Sequence, residues 1–97
     1  MSIQDTLNER QSTHGDFAEN ASLSQTIKEY MHTSKNWRLR KLTATQEEAL
    51  DMIALKISRI LTGNNREPDH WRDIAGYATL AENELVDKAS DSDVIIS

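Results

Sequence analysis

Between residues 50 and 61 apolar side chains recur at three- and four-residue steps, as Leu50, Ile53, Ala54, Ile57, Ile60 and Leu61. A helix turns once every ~3.6 residues, so this spacing lines one helix face, whereas a strand would alternate with period two. Thr43 or Thr45 stands at the start, with Gln46 or Glu48 three residues on as a capping box requires. Gly63-Asn64-Asn65 supplies the stop. A long one-sided helix must be covered by other helices. The rest of the chain offers helices and no strands, and only the terminal Val94-Ile95-Ile96-Ser97 has β-branched character. The expected fold class is therefore all-α, a small antiparallel helical bundle of about four helices.

Residues 2–12 read as the first helix, with Ile3 and Leu7 one turn apart and His14-Gly15 as the breaker. Asp16 is placed to cap a second helix in which Phe17, Ala21, Ser24, Ile27 or Lys28, and Met31 follow the helical repeat. Residues 34–41 read as a connection. Pro68 suits a first helical turn, and Trp71, Ile74, Ala78, Ala81 and Leu85 form the stripe of the last helix. Within it Gly76, Ala75 and Ala78 would let another helix approach closely. The expected organisation is one helical domain over residues 1–87 and a flexible acidic C-terminal tail over residues 88–97.

At 97 residues the chain is one domain with a modest core, which a partner subunit would enlarge, so a homodimer or higher homo-oligomer is expected. The net charge of −5 argues against general nucleic-acid binding, since phosphate contacts need clustered Lys and Arg. The one basic run, Lys35, Arg38, Arg40 and Lys41 around Trp37, suits a solvated connection. Without cysteine there are no disulfides, no thiol catalysis and no Cys-ligated zinc. The N-terminal residues lack an apolar core and no stretch has the length of a membrane span, so a cytoplasmic protein with no membrane association is expected.

Two acidic clusters carry the chemistry. Glu47, Glu48 and Asp51 border the apolar stripe of the third helix, and Asp73 lies on the fourth, one turn after Asp69. Paired side by side, these borders would share a groove. Hard cations such as Mg²⁺ take carboxylate oxygens and complete their shell with substrate phosphates, a task that suits Glu48, Asp51 and Asp73. Lys56 or Arg59, with Lys28 or Arg72, would neutralise phosphate charge, although their simpler reading is as solvent-facing cations. His70 could ligate a metal or move a proton, Tyr77 needs a polar partner for its hydroxyl, and Trp71 reads as core.

Glu47-Glu48-x-x-Asp51, followed after eighteen residues by His70-x-x-Asp73, resembles the signature of the all-α nucleoside triphosphate pyrophosphohydrolases of the MazG type. The resemblance implies a MazG-like bundle whose acids hold Mg²⁺ while water attacks a nucleotide to release pyrophosphate. It makes Glu47, Glu48, Asp51 and Asp73 metal-binding candidates and Glu48 the catalytic residue that orients water. The sequence departs from the signature at Asp51, where the family has the longer Glu, and at His70, where it has a third Glu. A second resemblance covers nearly the entire chain. His14–Met31, Leu42–Asn64 and Asp69–Glu82 are similar to a family of small phage and prophage proteins of uncharacterised function. It implies a phage-encoded protein of the host cytoplasm and adds His14, Gly15, Asp16, Asn20 and Gln25 to the site. Together the readings predict a nucleotide-binding protein whose nucleotide contacts include His14, Asp16, Asn20, Lys28, Lys56, Arg59, His70 and Tyr77. The alternative is a non-catalytic counter-defence factor that sequesters a nucleotide signal or inhibits a host defence protein.

Overall fold

The computed structural model describes the backbone of residues 2–14 and 16–96, and the side-chain surroundings of residues 2–10 and 16–86. All its regular structure is helical: α1 (Ile3–His14), α2 (Phe17–His32), α3 (Lys35–Arg38), α4 (Ala44–Thr62) and α5 (Pro68–Ile96). Where the sequence suggested about four helices, the connection after α2 holds a fifth, the single turn α3. The helical backbone of α5 continues through most of the segment read as a tail.

The helix starts follow local chemistry. Asp16 accepts the Ala18 amide at 3.1 Å. Thr43 and Gln46 form the reciprocal capping box, at 3.1 Å from the Gln46 amide to the Thr43 hydroxyl and 2.9 Å from the Thr43 amide to the Gln46 side chain. Two of α4's orphan amide groups are thereby satisfied. Between α3 and α4, Arg40 adopts the left-handed region with φ of 56°. That conformation lets the Arg40 and Lys41 amides donate back to the Trp37 and Asn36 carbonyls and ends α3.

Helix α4 is the middle member, packed against both α2 and α5. Ser58 faces α2 through its bond to Asn20, while Lys56 faces α5 through its ion pair with Asp73. Two residues apart on a helix are ~200° apart around its axis, so the neighbours lie on opposite sides of α4. The result is a layer of helices rather than a bundle closed around a centre. This explains a departure from expectation. Among the described residues the buried apolar side chains are Ala49 and Ala54, whereas Leu50, Ile57 and Leu61 of the stripe, Phe17 of α2 and Trp71 of α5 are exposed. The stripe is real, yet the chain's own helices grip α4 by its edges. Trp71 instead donates its indole N–H to the Asn65 carbonyl at 3.0 Å and leaves its ring outward.

No helix among the described residues is long and apolar enough to cross a membrane.

Candidate functional site

Polar side chains are buried in both seams of the layer. In the α2–α4 seam, Asn20 and Ser24 lie one turn apart on α2 and are buried with Ser58 of α4. The Ser58 hydroxyl is shared between the Asn20 side-chain oxygen and the Leu55 carbonyl, the latter at 2.8 Å. Ser24 is 2% exposed and its hydroxyl has no hydrogen-bond partner. Small side chains at Ser24, Ala54 and Ser58 let the two backbones come close, so the seam tolerates little else.

The α4–α5 seam holds charge. Lys56, only 9% exposed, places its ammonium 3.0 Å from the Asp73 carboxylate. Asp73 is 45% open at its side chain, so the pair sits at the mouth of the seam with the cation inside. The hydrogen bond from Lys56 holds the Asp73 carboxyl below its ordinary value of 3.8 against partial desolvation, and the charges of Lys56, His70 and Arg59 add to the pull. Arg59 has a buried Nε with no hydrogen-bond partner. His70 is buried on α5, one turn before Asp73 and Ile74. Lys56, Arg59, His70 and Asp73 therefore make a compact cluster in which cations outnumber the carboxylate.

Beside it a shallow groove of about 560 Å³ runs along α5, lined by Arg72, Asp73, Gly76, Tyr77, Thr79 and Leu80. Its walls come from α5 alone, so it is open to one side. A Cβ built on Gly76 meets nothing within 4 Å, and hence no contact within the chain requires glycine there.

The remaining candidates scatter. Asp51 is engaged by His32 at 3.0 Å, and His32 stacks on Trp37 with ring centroids 4.2 Å apart. Glu47 is half-buried and Glu48 exposed on α4. Asp16 is spent on the α2 cap, Lys28 is half-buried on α2, Gln25 is exposed there, and Arg72 pairs with Asp69 at 2.8 Å on the surface of α5. Gly15 lies outside the described residues, as do the side-chain surroundings of His14, the last residue of α1. His32 and Ser58 are the partners that the sequence reading did not assign to a site. Nothing in the spacing marks His32, which meets Asp51 from nineteen positions away. Ser58 carried a signal as a polar residue at the border of an apolar stripe.

Of the carboxylates that the pyrophosphohydrolase resemblance assigns to Mg²⁺, Asp73 is paired with an ammonium and Asp51 with an imidazole, and among the described residues no group of three or more His, Asp or Glu side chains is arranged to hold a metal ion. What the seam does offer is fixed positive charge near an open groove, an arrangement suited to an anion.

Neither the curated proteins nor the solved structures contain a match to this chain. Residues 3–85 do match a domain of unknown function, DUF6378, and the chain belongs to that family.

Proposed function

We propose that this protein binds a phosphorylated, nucleotide-type ligand at the mouth of the α4–α5 seam, and that it does so without a resident metal. The observation that carries the reading is the buried Lys56 ammonium beside Asp73, with the unpartnered Nε of Arg59 in the same cluster. A phosphate arriving at the mouth takes up the charge-assisted bonds that Lys56 and Arg59 can give, while Asp73 holds Lys56 oriented in the empty state. The half-buried Tyr77 ring lines the adjoining groove and offers a base a surface to stack on. A groove of this volume falls within the ~300–1,000 Å³ range of small-molecule sites. Binding without turnover also agrees with the alternative reading of the sequence, a non-catalytic factor that sequesters a nucleotide signal.

Thermal-shift and calorimetric titrations with nucleoside mono-, di- and triphosphates, cyclic nucleotides and inorganic phosphate, each with and without Mg²⁺, test the proposal. Stabilisation by at least one nucleotide in the absence of metal is expected, lost when Lys56→Met and Arg59→Met are combined. If no phosphorylated compound shifts the transition, the reading fails. Release of pyrophosphate only with Mg²⁺, abolished by Glu48→Gln, would replace it with the pyrophosphohydrolase activity implied by the MazG-type signature.

A further inference from the structure

One edge of the apolar stripe on α4, at Leu50, Ile57 and Leu61, is left open by the fold, whereas Ala54 is buried and Ile53 and Ile60 are half-buried. Leu50, Ile57 and Leu61 line one side of α4, about 90° round the helix from its contact with α5. On α5, Trp71, Ala78 and Leu85 lie about 90° round from the corresponding contact. Lys56 and Asp73 sit at similar distances from the turn at residues 63–67, so the two helices run antiparallel. That reversal brings both stripes to the same face of the layer. Gly76 and Leu80 of the groove fall on the other face.

The open area is large. A compact protein of 11.0 kDa exposes about 5,600 Å². This chain exposes 7141 Å² over its whole length, an excess of roughly 1,500 Å² to which the open face of α4 and α5 contributes along with the rest of the surface. A standard interface takes about 800 Å² from each partner, about half of that excess. Leu61 at 66% and Trp71 at 56% exposure are of the kind that form the centre of an interface.

We propose that a second copy of this chain covers the face, α4 against α4, around a two-fold axis. The stripe on α4 carries no charged residue between Leu50 and Leu61 on that side, so it meets itself without repulsion even though the chain has a net charge of −5. A chain whose fully buried apolar side chains are alanines needs its cover at all times, and an identical copy is the one partner always present at equal concentration. The arrangement leaves the Lys56–Asp73 mouth and the α5 groove outside the interface. It is independent of the ligand reading.

Sedimentation of the full chain over a range of concentrations should give twice the monomer mass, and Ile57→Asp should give the monomer or fail to fold. Because the chain has no cysteine, one introduced thiol locates the face. Ile57→Cys should cross-link to its own copy, and Leu80→Cys should not. A folded monomer at every concentration overturns the proposal. So does a dimer that cross-links through Leu80→Cys and not Ile57→Cys, or an Ile57→Asp protein that remains a dimer.

Discussion

Replacing Ser24 with alanine takes away a hydroxyl that is buried between α2 and α4 and bonded to nothing. A buried polar group without a partner costs about 1–3 kcal/mol relative to its hydrated state, and that cost disappears with the oxygen. Alanine also gains ~0.5 kcal/mol in helix propensity over serine. Against these gains stands the small void left by one oxygen atom, worth about 0.5 kcal/mol. The net expectation is stabilisation by about 2 kcal/mol, which for a domain of this size raises Tm by roughly 10 °C. Urea and thermal unfolding at one fixed protein concentration measure it, with an unchanged m-value showing that the unfolded state is not the cause. Ser58→Ala is the control, because Ser58 occupies the same seam with its hydroxyl engaged. Its loss strands the Asn20 oxygen and should destabilise by about 1–2 kcal/mol. Two serines buried in one seam are thus expected to respond with opposite signs. If Ser24→Ala lowers the transition as Ser58→Ala does, the hydroxyl has a partner, and the description of the seam as over-supplied with polar groups is wrong.

Two backbone positions are mismatched in opposite senses. Gly76→Ala should stabilise by about 1 kcal/mol in urea unfolding, since the new methyl meets nothing within 4 Å in the chain and mid-helix glycine costs that much. Arg40→Gly should stabilise by about 0.5 kcal/mol in the same assay, because a left-handed φ of 56° strains any residue with a Cβ. Thr43→Ala removes half of the capping box and should cost about 1 kcal/mol, read as a lower midpoint. For Asp73 the folded carboxyl lies below 3.8, so its pairing stabilises the fold above that value and the contribution fades as pH falls through the lowered one. Comparing wild type with Asp73→Asn in acid titrations from pH 6 to pH 2 should therefore show the two curves converging at the acid end.

Helix starts were legible because they depend on a few adjacent residues. Asp16, Thr43-Gln46 and Pro68 each stand where local chemistry alone sets the boundary. Asn20 entered the candidate site through the phage-protein resemblance, and its burial against Ser58 gives it a place in the α2–α4 seam. The stripe on α4 was legible as a face, but a period of 3.6 does not say which neighbour covers that face, and here α2 and α5 hold the flanks. Lys56 shows the converse. Its long stem and charge suggest solvent, and only the arrival of Asp73 from α5 makes its burial affordable. The carboxylates at Asp51 and Asp73 kept the spacing of a metal motif while the fold supplied each with a partner from another part of the chain, the His32 imidazole for Asp51 and the Lys56 ammonium for Asp73.

Helix α4 carries Ser58 on one side and Lys56 on the other, so one element supplies a buried polar group to each of its two neighbours. A substitution that breaks α4 in its middle therefore strips the hydroxyl from Asn20 and the ammonium from Asp73 at once.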